Sequence, residues 1–109
     1  MANTFKNKVF NGSNTTANSD MTVYTAPAST TTVVIGLTLA NTGSTQILAD
    51  IKLNAGQVVF LAKDIPIPVG SSFEYMAGNK IVMETGHSLI VQSSVANSLD
   101  TVASIMEIT

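Results

Sequence analysis

The chain has 109 residues, 45% of them apolar and only 11% charged, with a net charge of −2 and no cysteine. One domain is the natural size, disulfides and thiolate metal sites are excluded, and without a basic patch to neutralise phosphates there is no sign of a nucleic-acid binder. Water-facing positions must be filled by the 14 Thr, 11 Ser and 9 Asn, which suit strands and turns, are poor inside helices, and make a surface cheaper to desolvate than one of Lys and Glu.

The first element is Thr4 to Phe10. It is either a strand that joins the domain's sheet or an arm that reaches a neighbouring subunit, with Phe5, Val9 and Phe10 as its apolar anchors. Asn11 to Asp20 is a Gly/Ser/Asn/Thr loop. Residues 1–20 therefore read as an N-terminal arm and polar loop, and residues 21–109 as a β-sandwich domain. Because the loop has nothing obvious to bury, the arm is expected to be unordered before assembly. The opening residues lack the apolar stretch of a signal peptide, and no apolar run approaches the roughly 18 residues of a membrane span.

From Met21 onward, short strands alternate with turn signals. Thr22 to Thr25 stops at Pro27. Thr31 to Asn41 carries Val33, Ile35, Leu37 and Leu39 on one side and Val34, Gly36, Thr38 and Ala40 on the other, the period of two expected of a strand with one buried face. After the turn at Asn41 to Ser44, Ile47, Ala49, Ile51 and Leu53 face in while Leu48, Asp50 and Lys52 face out. Asn54-Ala55-Gly56 is a hairpin signal, with Gly56 available for a positive φ. Gln57 to Lys63 returns as a strand. Asp64 to Pro68 has two prolines, which fits an extended crossing or an edge and not a central strand.

Gly70-Ser71 leads into Ser72 to Met76, where Phe73 and Tyr75 share a face. Ala77-Gly78-Asn79 turns into Lys80 to Glu84, with Ile81 and Met83 inward. Thr85-Gly86-His87 turns into Ser88 to Ser94, with Leu89 and Val91 inward. In the last strand, Asp100 to Ile108, the reading puts Val102, Met106 and Ile108 inside and Glu107 outside. Eight or nine strands at a spacing of roughly 8–12 residues predict an all-β chain: a single-domain antiparallel β-sandwich, jelly-roll or Ig-like.

Residues with catalytic potential are few. His87 is the only histidine and sits in a turn, where a general base would need a positioned partner. No two carboxylates fall at the spacing of a glycosidase pair, no Asp-rich calcium loop occurs, and Gly70-Ser71-Ser72 leads into a strand rather than the helix of a nucleophile elbow. No enzyme, cofactor or metal is expected. Phe73 and Tyr75 could form an exposed platform for a glycan, although core packing or a subunit contact is the favoured use.

Several stretches resemble small virion structural proteins of tailed bacteriophages, of the cyanophage type. They are Met-Ala-Asn-Thr-Phe-Lys-Asn at the start, Val23 to Ala28, Val33 to Leu37 with Ala40-Asn41, Pro66 to Ser72, Lys80 to Gly86, Val91 to Ser94, and Ser104 to Thr109. These are strand-and-turn motifs and carry no chemistry. The resemblance implies a non-enzymatic virion subunit, a capsid decoration (cement) protein or a tail-associated one. It implies a homo-oligomer, dimer or trimer, that contacts other virion proteins such as the major capsid protein, on the capsid surface or tail, with no nucleic acid or membrane as partner. Tail, baseplate or fibre association and a host-surface glycan-binding module are the alternatives. The expected interaction residues are Phe5, Val9, Phe10, Phe73 and Tyr75.

Overall fold

The computed structural model describes residues 2–76 and 80–109; the turn expected at Ala77-Gly78-Asn79 lies outside them. Among the described residues nine strands form: β1 (Asn3–Phe10), β2 (Met21–Thr25), β3 (Thr31–Asn41), β4 (Ile47–Asn54), β5 (Val58–Ile67), β6 (Ser72–Glu74), β7 (Ile81–Met83), β8 (Ser88–Ser93) and β9 (Leu99–Ile108). One sheet runs β1-β9-β3, with β6 and β7 sharing the far side of β3; the other runs β2-β8-β4-β5. Every pairing is antiparallel. If β6 and β7 count as one interrupted strand, the first strand pairs with the last, the second with the last but one, and so on inward to β4 with β5. That is one long hairpin rolled up on itself, which is a jelly roll and not an Ig-like sandwich.

The sheets enclose a core built mainly from Val34, Leu37, Leu39, Ile47, Ile51, Ile67, Met83, Leu89, Val91, Leu99 and Ile105. Ile47, Ala49 and Ile51 of β4 and Leu89 and Val91 of β8 face it as the alternation predicts. Gly56 takes φ 89° at the β4–β5 turn. Of the proline stretch, Asp64 to Ile67 end β5, the edge strand of its sheet, and Pro68 lies beyond it; an edge strand tolerates the donor that Pro66 lacks. Asp64, at φ 55°, kinks that strand and donates its N–H to the Asp50 carboxylate at 2.7 Å.

Two strands face differently from the sequence reading. In β3 the register against β9 slips between Val34 and Gly36. This bulge inserts Ile35 as an extra residue, and an extra residue reverses the alternation beyond it. Thr32 and Val34 are buried before it and Leu37 and Leu39 after it, while Ile35 is exposed and Val33 half-exposed on the outer side. In β9 the buried residues are Leu99, Thr101, Ala103, Ile105 and Glu107, and Val102, Met106 and Ile108 face out. The sequence reading was inverted there because it assumed that Glu107 had to meet water.

Glu107 is buried because partners meet its charge. Lys6 of β1 forms an ion pair with Oε1 at 2.7 Å, and the Tyr24 hydroxyl from the opposite sheet donates to Oε2 at 2.6 Å. With its one proton committed there, Tyr24 accepts from the Thr32 hydroxyl at 2.7 Å. Hydrogen bonds from Lys6 and then Tyr24 hold the Glu107 carboxyl below its ordinary value of 4.5. Burial, and then the bond to Glu107, push the Tyr24 phenol up to about 12.

Residues 11–20 are fastened to the sandwich by side-chain and backbone bonds. Gly12 N–H donates to Asp100, Thr15 N–H to the Asn97 side chain, and Asn97 N–H to the Thr15 hydroxyl. Asn18 N–H donates to the Ser93 carbonyl. Asn and Thr side chains thus satisfy backbone groups that a polar loop would otherwise leave to water.

A carboxylate whose folded pKa is depressed stabilises above its unfolded pKa, and that contribution is lost as the pH falls through the folded value. Glu107→Gln is therefore expected to cost about 1–3 kcal/mol at neutral pH. Its deficit relative to wild type should shrink steadily below pH 4.5 in urea melts. Among the described residues, Thr101 Oγ1 is buried without a partner, so Thr101→Val is expected to stabilise by about 1 kcal/mol in the same melts.

Candidate interaction face

Residues opposite one another in antiparallel strands point to the same face. The register therefore lays out the outer surface of the β1-β9-β3 sheet row by row. One row is Phe5, Met106, Val33 and Val82, crossing β1, β9, β3 and β7. The next is Asn7, Ser104 and Gly36, and the third is Val9, Val102, Thr38 and Glu74, ending on β6. An apolar row and a mixed one, apolar at Val9 and Val102, thus flank a row of polar and small residues. Phe5 is 71% exposed, Val9 69% and Val82 60%, far more than side chains of their kind in a core. A shallow depression of about 210 Å³ lies beside Phe5, lined by Phe5, Lys6, Asn7, Ile35, Ser104 and Ile105.

Charge is kept off the middle of this face. Lys6 and Lys8 alternate with Phe5, Asn7 and Val9 and so belong to the inner side of β1, where Lys6 meets Glu107 and the Lys8 ammonium lies 6.0 Å from the Tyr24 ring. Glu74, at one end of the third row, is occupied locally. It accepts from the Leu37 and Met76 N–H groups and the Thr38 hydroxyl. Burial pushes its pKa up, but those three bonds outweigh it and hold the carboxyl below its usual range.

The outer surface of the other sheet has exposed apolar residues of its own, Leu48, Val58 and Phe60, and sets charges among them. Lys52 pairs with Asp20 at 2.9 Å, and Gln92 donates to the same carboxylate; the Lys52 bond leads in holding Asp20 below the usual range. Phe60 is exposed there, with the Lys52 and Lys63 ammonium groups 5.2 and 5.0 Å from its ring, so cations already cover that aromatic.

The five sequence candidates do not converge on one site. Phe5 and Val9 stand together on the outer face. Phe10 and Phe73 share an inner row, Phe10-Thr101-Leu39-Phe73, at opposite edges of the sheet, and both pack half-buried against the core. Tyr75 also packs against the core and donates its hydroxyl to the Leu61 carbonyl at 2.9 Å. His87 shapes its turn: Nδ1 accepts from Glu84 N–H, and its carbonyl accepts from Ala26 N–H. Sequence reasoning missed Ile35, Val82, Val102 and Met106 as face residues. Their signal was present for Val82, which alternates with the inward Ile81 and Met83, but the bulge and the buried Glu107 hid the others.

No family model matches the sequence, and no curated protein matches it. Among solved structures the chain is similar to a chain of the T13 particle of infectious bursal disease virus (IBDV), with TM-score 0.57 and 10% identity, over 96% of this chain and 30% of that one. It is similar to a chain of the Gx strain of the same virus, with TM-score 0.55 and 12% identity, over 95% and 33%. A pentameric capsid protein isolated from metagenomic phage sequences aligns at TM-score 0.43 and 19% identity, over 92% and 60%. At the identities of the IBDV chains the likeness is one of fold, and this chain spans about a third of their length.

Exposed side chains contribute little to folding. Phe5→Ser and Val82→Ser are each expected to leave stability within about 0.5 kcal/mol of wild type in thermal melts.

Proposed function

We propose that this chain is a non-enzymatic structural subunit of a virus particle, most simply a bacteriophage capsid decoration (cement) protein, acting through protein–protein contacts. The observation that carries the reading is the outer face of the β1-β9-β3 sheet, which exposes Phe5, Val9, Val82 and Val102 and is free of charge at its centre. Contiguous apolar surface of this kind marks an interaction site rather than a solvated one. The fold likeness to chains of a viral particle supports it, as does the sequence resemblance to tailed-phage virion proteins. The strand contributed by residues 1–20 supplies Phe5 and Val9 as contact residues of the sandwich 21–109. The partners are further copies of the chain, as dimer or trimer, and other virion proteins such as the major capsid protein, on the capsid surface. A tail-associated subunit would keep the contacts between copies and meet tail proteins in place of the capsid.

The test is cosedimentation of the purified chain with empty shells assembled from the major capsid protein of its own genome, and separately with that genome's tail proteins. Comigration with shells, and a raised melting temperature of the decorated shell, is the expected result. Comigration with tails alone moves the subunit to the tail. A chain that stays at the top of the gradient in both mixtures overturns the structural reading.

A further inference from the structure

The outer face of the β1-β9-β3 sheet carries both halves of a contact with itself. Phe5 is its most exposed large apolar side chain, a knob standing off β1. Beside it lies the depression of about 210 Å³, lined in part by Asn7 and Ser104, the Ser104 hydroxyl donating to the Asn7 side-chain oxygen at 3.3 Å. At Gly36 an added Cβ would meet only Ser104 side-chain atoms, the nearest at 3.5 Å. An enclosed cavity of about 150 Å³ holds a benzene ring; this open depression is of comparable volume, so a phenyl group can rest in it. Phe5 and Asn7 are two residues apart on one strand, about 7 Å along it. A two-fold axis between them would lay each Phe5 over the depression of the other copy.

We infer that two copies of this chain pair face to face across the β1-β9-β3 sheets, with Phe5 of each seated in the depression beside Ser104 of the other. The pairing is isologous: the same patch serves on both copies, and knob and hole exchange across the axis. The face is large enough. Its central strands are 10 and 11 residues long, and four strand positions across give a footprint of about 600 Å², so that two apposed faces bury about 1,200 Å². A specific contact needs roughly 1,000 Å² in total. On the opposite sheet the exposed Phe60 is already flanked by the Lys52 and Lys63 ammonium groups. Edge-to-edge pairing through β1 is opposed by Lys6 and Lys8, charged side chains of the kind that guard sheet edges.

This inference deepens the reading of the chain as a self-associating subunit and rests on it. The test is sedimentation velocity of the full chain over a wide concentration range, comparing wild type with Phe5→Ala, Ser104→Leu and Phe60→Ala, each checked for folding by thermal melt. Phe5→Ala removes the knob and Ser104→Leu fills the hole. The expected result is a wild-type dimer whose dissociation constant rises about tenfold or more in each of those two variants, a change of about 1.4 kcal/mol, while Phe60→Ala pairs as wild type does. A wild-type monomer at every concentration overturns the pairing. So does a wild-type trimer, or an oligomer unmoved by both Phe5→Ala and Ser104→Leu. Shell binding measured in parallel separates the two claims. Binding that persists without pairing sinks the pairing alone, and pairing without binding to shells or tails sinks the virion role.

Discussion

The whole architecture hangs on β9 lying between β1 and β3. The strand pairs along its length with the first strand on one side and with the longest strand on the other. Both partnerships are non-local, so the sheet cannot form until distant parts of the chain have met. Closing such long loops costs entropy before the contacts reward it. The facing of β9 then decides both surfaces of the sheet at once. With Leu99, Thr101, Ala103, Ile105 and Glu107 turned inward, Val102, Met106 and Ile108 have nowhere to go but out.

The buried Glu107 is what makes that facing tolerable. An unpaired carboxylate inside the sandwich would be costly. Lys6 and Tyr24 answer it from two directions, so one charge ties the edge strand, the central strand and the opposite sheet to a common point. Burying Glu107 also leaves one fewer charge for the outer surface. The two outer surfaces consequently differ: one sets Lys52, Asp20 and Gln92 among its exposed apolar residues, and the other keeps charge from its centre. In a chain with so few charged residues, where each one is placed determines which face can meet a neighbour.

Much of the fold could be read from period-two alternation and turn residues. β4 and β8 face as their patterns say, the nine strands fall close to the expected segments, and the proline stretch lies at an edge. The jelly-roll winding could not be read that way, because alternation says which way a side chain points and nothing about which distant strand it lies beside. The facing of β3 beyond Val34 turns on one bulged residue, and local pattern carries no mark that distinguishes Ile35 from its neighbours. The facing of β9 turns on Glu107, whose partners Lys6 and Tyr24 lie 101 and 83 positions away in sequence. Phe5 and Val9 were visible as apolar residues on a polar segment. The rest of their face was not, because it is assembled from strands that touch only in three dimensions.

The two ends of the described chain meet. Ala2 N–H donates to the Thr109 carbonyl at 3.0 Å, and Thr109 N–H donates to the Ala2 carbonyl at 2.9 Å. A unit whose ends lie side by side can be spliced into a loop of another protein without disturbing the host, and it can be reopened at a different turn with its old ends joined. The β4–β5 turn at Gly56, far from both ends in sequence and free of neighbours, is a natural place for such a new opening. The geometry that closes this sheet also makes the domain portable.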